Sequence, residues 1–536
     1  MRRSRLPSLL AVALLAGAYL FSAGRLLLRH GAEVVDPGIE VIRFAHWQIE
    51  PGVREAFNEI AADYMALHPQ VRVEQLDIPG RAWKQWLRTG LIGGTAPDLI
   101  ELAAYENPDD MLARYFTPIT SYLEELNPYN AGEPDLRNLS WRKSYTAELV
   151  PTEVVSYFNS NLLEYYGAPS TMVTVRVFYN RRLFQEALGE DRTPKTFDEF
   201  VALCAALQRH AQTMKQPIAP LAGSWFNLTK ITDELFGAAS QRVSLALDIS
   251  RDLEMTKHEA LINYVRGRWS LTTPAVRAGL QTVEAFGQYM APGWSQLNRE
   301  DSMLQFLQGR AAMLVTGTWD AGGILAQSDF PVGVFKMPVF RRDDPKYGRW
   351  TLGPVSEANT FAALPFGLTR TSRHPDRAID FLRFLTSRQS NAKFSRISTW
   401  LPVIKGVPVP KVSEAFRPVE DGYVRGLNIH FLSERANLVL QQYLYLLSGN
   451  GASADAFIAR THGLFDQAYW GELERLARIS HETLRQKDSV LAGLYHLERP
   501  AGLARAKFDR LAANQLTVEA DRLQSLRTLA DYPLAK

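Results

Sequence analysis

Four of the eleven tryptophans stand where predicted strands or helices give way to loops: Trp47, Trp225, Trp319 and Trp400. In an open α/β sheet, ligands bind at the carboxyl ends of strands, so aromatic side chains there can line a cleft. An indole plane covers the flat C–H face of a sugar, while Asp, Glu, Asn or Arg side chains hydrogen-bond its hydroxyls. The placement allows stacking on a hydroxyl-rich ligand, although position alone favours packing in a core or at an interface for each ring.

Signatures of catalysis are missing from the sequence. It has no GxxxxGK[ST] loop, no GxGxxG turn after a strand, no HExxH and no GxSxG. The ten histidines show no i, i+4 pairing that would converge on a metal, and we expect neither a metal site nor a cofactor. A glycosidase carboxylate pair leaves no fixed spacing, so an envelope carbohydrate-active hydrolase stays the alternative to a binding protein.

Charge and cysteine content exclude further classes. The 536 residues include 60 Lys and Arg against 57 Asp and Glu, a formal net charge of +3, which is too small for a nucleic-acid-binding chain. The single cysteine, Cys204, excludes an internal disulfide framework and a multi-cysteine zinc site. Its helix-like neighbours in FVALCAALQ predict a small core residue.

The N-terminus has the layout of an export signal. Arg2, Arg3 and Arg5 precede an uncharged stretch from Leu6 to Gly24, long enough to nearly span a membrane as a helix. We expect the chain after about residue 30 to lie in the periplasm or cell envelope, with residues 6–24 as a signal peptide or, by preference, an inner-membrane anchor.

Regularly alternating elements follow this segment. VIRFAHW reads as a buried strand, VRVEQL as a second strand and DLIELAA as a third apolar run, separated by two amphipathic helices, which predicts parallel strands with helices on both faces. We assign Trp83, Trp86 and Trp141 to packing, and Asp98 to hydrogen bonds with the backbone.

Similar alternation continues to about residue 450. VTVRVFYN, GRAAMLVTGTW and FAALPFGLT are predicted strands, and RAIDFLRFLTS is a predicted helix. Residues 197–212 also read as a helix, with Thr196 as its N-cap and Glu199 completing a capping box.

Beyond residue 450 the pattern is only helical. Two apolar stripes are present: Phe465, Tyr469, Leu473 and Leu476 in the first, and Leu516, Ala520, Leu523, Leu526 and Ala530 in the second, with Pro500 opening a helix between them. We expect both stripes to pack on the second of the two preceding α/β lobes. The alternative is a tethered sensor or interaction subunit whose C-terminal helices contact a membrane partner.

Six segments in a fixed order resemble a known family. They are TAPDLIEL, YGAPST, VFYNRRLFQEAL, TPKTFDEFVALCAAL (with Phe197 in place of the usual Trp), FLQGRAAMLVTGTW and STWLPV. From about Val41 to Val409 the chain is thus similar to the extracellular solute-binding proteins of family 1, the carbohydrate-type receptors of ABC importers that include the maltose-binding protein.

The resemblance implies a two-lobed α/β periplasmic-binding-protein fold of type II, with a multi-crossing hinge and the ligand between the lobes. It implies lobes over residues 39–165 with 361–395 and over 166–360 with 396–450, after an N-terminal region of 1–38 and before a helical extension of 451–536. The implied ligand contacts are His46, Trp47, Tyr105, Glu106, Tyr179, Trp319 and Trp400, to which position alone adds Trp225.

The expected function is therefore non-enzymatic. The chain would bind a sugar or oligosaccharide by lobe closure and deliver it to ABC transporter permease subunits in the membrane. A neutral, hydroxyl-rich ligand is expected, because no arginine cluster accompanies the implied contact residues.

Overall fold

The computed structural model describes residues 38–102, 109–146, 157–159, 163–253, 255–358, 362–430, 432–448, 451–498 and 502–534. Its strands, in chain order, are β1 (Glu40–His46), β2 (Val71–Asp77), β3 (Leu99–Glu101), β4 (Phe116–Thr117), β5 (Phe158–Asn159), β6 (Glu164–Tyr165), β7 (Gly167–Ala168), β8 (Thr171–Met172), β9 (Val175–Asn180), β10 (Ala219–Leu221), β11 (Ala311–Gly317), β12 (Val332–Phe335), β13 (Ala362–Ala363) and β14 (Phe366–Thr369).

The helices are α1 (Pro51–Leu67), α2 (Gly80–Gly93), α3 (Asp109–Tyr115), α4 (Thr120–Glu124), α5 (Arg181–Leu188), α6 (Phe197–Met214), α7 (Trp225–Ala239), α8 (Gln241–Leu247), α9 (Lys257–Val265), α10 (Pro274–Gly287), α11 (Arg299–Leu307), α12 (Ala321–Gln327), α13 (Pro375–Leu385), α14 (Arg388–Ser398), α15 (Glu434–Tyr443), α16 (Ala454–Glu498) and α17 (Gly502–Asp531). Across the described residues, every helix is too short or too polar to cross a membrane.

The first lobe is built on a sheet of strand order β2-β1-β3-β14-β4, in which β7 also pairs with β14. β1 runs parallel to β2 and β3, as the sequence predicts. Side chains alternate across β1: Phe44 packs in the core shared with α1 and α13, while Ala45 faces Trp83 of α2. Helices therefore cover both faces of this sheet, and the predicted arrangement is confirmed.

The second lobe has a sheet of order β10-β11-β9-β12 with mixed strand directions. β10 and β11 are parallel, and β9 is antiparallel to its neighbours β11 and β12. All seven residues of β11 are buried, as its apolar sequence predicts. Cys204 is a buried free thiol in the large core around this sheet, which confirms its predicted packing role.

Short segments near the predicted lobe boundaries pair with one another. The segment around β8 pairs with β13, and the Thr171 hydroxyl donates to the Leu401 carbonyl at 2.6 Å. A little further on, the Thr174 hydroxyl donates to the Phe416 carbonyl at 2.7 Å. The lobe boundaries stay predictions, although Trp400 packs in the first-lobe core rather than among second-lobe side chains.

Hydrogen bonds at the start of α6 differ from the predicted capping box, whereas those of Asp98 agree with its predicted role. The Thr196 hydroxyl accepts from the Glu199 N–H at 3.2 Å, but the Glu199 carboxylate accepts from Lys195 N–H, one residue earlier than in a capping box. Asp98 accepts from the Arg43 N–H at 2.8 Å and from the Ser372 hydroxyl, so its predicted role in fixing the backbone is confirmed.

Replacing Thr196 with alanine is expected to destabilise the protein by about 1 kcal/mol, because the N-cap of α6 loses its acceptor. Urea unfolding of wild type and variant measures this change. Thr213→Ala, in the last turn of the same helix, is the matched control, since its exposed hydroxyl bonds only the Arg209 carbonyl of its own helix. Equal midpoints for Thr196→Ala and wild type would contradict the expectation.

The C-terminal helices meet the expectation only in part. The first stripe is covered, because Phe465, Tyr469 and Leu473 of α16 are fully buried in the second-lobe core. The second stripe is not: Leu516, Leu523 and Leu526 of α17 are 67%, 58% and 42% exposed. The prediction that both stripes pack on the preceding domain is wrong for α17, because that helix buries a different face. Pro500 lies outside the described residues.

Candidate functional site

Five side chains meet where the two lobes touch, and we call them the inter-lobe cluster: Glu50, Phe226, Arg299, Trp319 and Asp320. Glu50 follows β1 in the first lobe and precedes α1. The other four belong to the second lobe: Phe226 in the first turn of α7, Arg299 at the start of α11, and the last two in a 3₁₀ turn directly after β11. Strand ends and helix starts thus place the cluster, as expected for a site in an α/β fold.

A chain of charges crosses between the lobes in this cluster. Arg299 Nη2 donates to Asp320 Oδ1 at 2.5 Å and lies 3.5 Å from Glu50 Oε1. The Thr316 hydroxyl donates to Asp320 Oδ2 at 2.5 Å, which holds that carboxylate in place. Burial raises the pKa of Glu50, while the nearby guanidinium opposes that rise. Because Asp320 binds the arginine more closely, Glu50 is the weaker partner in the bridge.

Aromatic rings form the other half of the cluster. The Trp319 ring lies 6.2 Å from the Phe226 ring at an interplanar angle of 71°, and Arg299 Cζ lies 5.4 Å above Phe226. Lys230 Nζ lies 5.2 Å from the same phenyl ring, and burial lowers the pKa of this lysine. Gly317 lets the indole fold back over β11, since a Cβ there would be 2.3 Å from the Trp319 ring.

Three buried polar atoms at this junction have no hydrogen-bond partner among the described residues: Glu50 Oε2, Trp319 Nε1 and Thr399 Oγ1. Thr399 lies at this junction, because its hydroxyl oxygen is close to Gly322 of α12. A Cβ added to that glycine would be 3.2 Å from the oxygen. Buried polar groups are normally paired, and an unpaired group costs free energy. One acceptor, one donor and one hydroxyl can together satisfy the hydroxyls of a polyol.

His46 and Trp47 lie at the carboxyl end of β1, as predicted, a few residues before Glu50. Burial lowers the pKa of His46 to about 4, so its neutral ring accepts from Gln75 Nε2 at 2.7 Å. The backbone N–H of Trp47 donates to Glu101 Oε2 at 3.1 Å. The half-buried Trp47 ring packs edge-on against the Trp83 ring, with 5.1 Å between the ring centroids. Tyr105 and Glu106, the other first-lobe candidates, lie outside the described residues.

The remaining predicted contacts are placed differently. Trp225 is half-buried next to Phe226, with its ring 5.9 Å from that of His430. Tyr179 is 6% exposed, and its hydroxyl donates to Asp191 Oδ1 at 3.0 Å. Trp400 is 2% exposed. Of the predicted contacts, Trp319 alone belongs to the inter-lobe cluster; Trp225 packs against the second-lobe core, Tyr179 and Trp400 lie in the cores, and all three stay predictions as ligand contacts.

Sequence reasoning missed four members of the cluster, Glu50, Phe226, Arg299 and Asp320. Glu50 carried a usable signal, since it lies in the loop after the first strand, where α/β sites form. Arg299 carried none beyond its place at a helix start. Among the described residues, no group of three or more His, Cys, Asp and Glu side chains is placed to hold a metal ion.

Glu50→Gln is expected to stabilise the unliganded protein by about 1 kcal/mol at pH 8. The substitution removes the charge of a buried carboxylate whose Oε2 has no hydrogen-bond partner. Since the pKa of Glu50 is raised in the folded state, its proton stabilises the fold at low pH. That stability is lost as the pH rises from the ordinary glutamate range through the folded pKa. Denaturant unfolding at pH 4 and pH 8 measures the difference, which should vanish at pH 4.

Glu55→Gln is the matched control for this experiment, because Glu55 is an exposed glutamate on α1, the helix that begins directly after Glu50. It should leave stability unchanged at both pH values. A Glu50→Gln effect of the same size at pH 4 and pH 8 would contradict the assignment of a raised pKa to this carboxyl.

Known proteins share this architecture. An uncharacterized ABC transporter extracellular-binding protein of Pyrococcus horikoshii is 20% identical over 405 residues, 73% of this chain and 77% of that protein. The maltotriose-binding protein of Pyrococcus abyssi is 22% identical over 371 residues, 67% of this chain and 66% of that protein. The GacH receptor of Streptomyces glaucescens, solved unliganded and with acarbose, superposes with a TM-score of 0.56 at 15% identity, covering 80% of this chain and 97% of that structure.

The structural likeness confirms the predicted two-lobed α/β fold. In addition, the profile of the family described as bacterial extracellular solute-binding protein matches residues 50–392. That range is well over half of the chain, and it includes the whole second-lobe sheet and every strand of the first-lobe sheet except β1. The chain therefore belongs to the bacterial extracellular solute-binding proteins, as the order of its six motifs predicts.

Proposed function

We propose that this protein is the sugar-binding component of an ABC importer. It captures a sugar or oligosaccharide between its lobes and delivers it, unaltered, to the permease subunits in the membrane. The observation that carries the proposal is the junction of the lobes, where an indole ring and three unpartnered polar atoms come together. A ring plane with nearby donors and acceptors suits a ligand that has C–H faces and many hydroxyls.

The names of similar proteins support the same ligand class. One relative is a maltotriose-binding protein, and a structural neighbour has been solved with acarbose. Both ligands are chains of linked sugar-like rings. A short oligosaccharide that spans from Trp319 toward Trp47 is therefore the ligand we favour.

The way the cluster is divided between the lobes supports lobe closure. Glu50 comes from one lobe and Trp319 from the other, so a ligand that contacts both favours the state in which they are close. We take the segments around β8, β13 and Phe416 as the hinge, a choice supported by the pairing of β8 with β13 and by the hydrogen bond from Thr174 to the Phe416 carbonyl. Export to the cell envelope, with residues 6–24 as anchor, completes the proposal.

Isothermal titration calorimetry with a panel of maltotriose, acarbose, raffinose and chitin oligosaccharides tests this function. We expect saturable binding of at least one sugar, together with a smaller radius of gyration in solution scattering when the protein is saturated. Chromatography of the recovered sugar should show no shorter product. Failure of every sugar to bind would overturn the proposal, and release of shorter sugars would favour the hydrolase.

A further inference from the structure

Helix α17 packs its polar face against the protein and exposes its apolar face to solvent. The face that it buries against α9 and α16 is largely polar, with Ser525 and Thr528 fully buried. The Ser525 hydroxyl bonds His258 Nε2, and Arg266 Nε donates to the Thr528 hydroxyl at 3.1 Å. Its leucine face points to solvent instead. Surface apolar stripes of this kind mark interaction sites.

The exposed stripe is symmetric about Leu523. Positions three, four and seven residues away on either side lie on the same face of a helix. In α17 these are Ala520 and Leu526, Glu519 and Arg527, and Leu516 and Ala530, and all of them are exposed. Each pair therefore joins a small residue to a large one or an acid to a base.

We propose that this face binds the same face of a second copy of the chain, with the two α17 helices antiparallel and the two-fold axis at Leu523. A two-fold axis makes an interface self-complementary. A residue a given number of positions before Leu523 therefore meets the residue the same number of positions after Leu523 in the other copy. Leu516 then opposes Ala530 of the other copy, and Leu526 opposes Ala520. Small side chains thus provide room for large ones along the whole stripe.

Charge complementarity supports the second copy as the occupant. The same axis places Glu519 of each copy opposite Arg527 of the other, which gives two equivalent ion pairs. Neither residue forms an ion pair with another described residue of its own chain. In a parallel pairing these charges would not meet, so the antiparallel arrangement is specified by the sequence of the stripe.

The expected dimer is weak. The stripe extends over residues 516–530, about 21 Å of helix. Two helices in contact over that length bury less than the 1,200 Å² or so of a standard stable interface. The proposal is independent of the sugar site, which lies at the junction of the lobes.

Sedimentation velocity of the full chain, purified in a mild detergent, measures the association. We expect a dimer whose fraction rises with concentration, and a dissociation constant at least tenfold higher for Leu523→Glu, because two carboxylates then face each other at the axis. Leu438→Glu is the matched control: Leu438 is 62% exposed on α15, outside the stripe, and should leave the constant unchanged. Sugar affinity should be the same in all three proteins.

Charge reversal identifies the pairing. Glu519→Arg and Arg527→Glu are each expected to weaken the dimer several-fold, since each variant places like charges opposite one another. The double variant should restore the wild-type constant, because the exchanged charges again face their opposites. A double variant as weak as the single ones would overturn the antiparallel register.

Cross-linking provides a direct check, because Cys204 is buried and the introduced thiol is the accessible one. A mixture of Leu516→Cys and Ala530→Cys chains should form a disulfide-linked heterodimer under mild oxidation, while neither variant alone should do so efficiently. A chain that stays monomeric at every accessible concentration would overturn the proposal, as would a dimer unaffected by Leu523→Glu.

Discussion

Trp319→Ala is expected to lower the affinity for the bound sugar about thirtyfold, which corresponds to about 2 kcal/mol. The substitution removes the indole plane at the junction of the lobes and the unpartnered Nε1 donor. Buried aromatic anchors of this kind contribute much of the binding free energy at a site. Calorimetry with the best ligand of the sugar panel measures the change.

Two further variants separate the contributions of the ring. Trp319→Phe keeps an aromatic plane but loses the N–H donor, so its affinity should lie between those of wild type and Trp319→Ala. Trp470→Ala is the control, because that tryptophan lies on α16 with its Nε1 bonded to the Tyr532 carbonyl. Unchanged affinity in Trp319→Ala, with normal thermal unfolding, would remove the indole from the site.

Arg176→Ala is expected to cost about 3–5 kcal/mol of stability, because it leaves a buried carboxylate without its main partner. Arg176 is 1% exposed on β9, and its guanidinium donates to both oxygens of Glu357, at 2.8 and 3.1 Å. It also donates to the carbonyl oxygens of Ala415 and Arg417. This one side chain therefore ties three stretches of the second lobe together. Denaturant unfolding at pH 7 measures the loss.

The pH dependence of that loss has a definite sign. Burial alone would raise the pKa of Glu357, but Arg176 holds it below the ordinary glutamate value. The ion pair therefore stabilises the fold above about pH 4.3 and contributes less as the pH falls through the lower folded pKa. The difference between wild type and Arg176→Ala should accordingly shrink in acid.

Arg417→Ala is the matched control for this effect. Arg417 also contacts both oxygens of a glutamate, Glu414, but that pair is exposed to solvent. Exposed ion pairs contribute little, so no measurable change is expected. Equal losses in the two variants would show that burial is not what makes the Arg176 pair important.

Much of the fold follows from local sequence. β1 and β11 are apolar runs that pack on both faces, and this pattern is visible without any partner, whereas the edge strand β2 is only partly buried. The two-residue strands β8 and β13 are different, because each exists only through pairing with a segment far away in the chain. For α17, periodicity predicts which face is apolar but contains no information about what covers it.

The parts of the candidate site that depend on nearby sequence could be predicted, whereas the parts that depend on contacts between the lobes could not. Trp319 follows a strand whose burial is evident, so its place at the edge of a sheet could be inferred. Arg299 joins the cluster only because two lobes bring Glu50 and Asp320 to it from distant parts of the chain. Strand ends say which side chains can reach a cleft, whereas the relative orientation of the lobes decides which of them do.

The attachment of α16 turns this helix into a lever arm. Its N-terminal third is fixed in the second-lobe core by Phe457, Phe465 and Tyr469, and the whole helix is 45 residues long, about 67 Å. Any rotation of that lobe is thus carried along the helix, and ten degrees would displace the far end of such a rod by about 12 Å. Small angular changes near the ligand would become large translations at the tip, where a distance probe could record them.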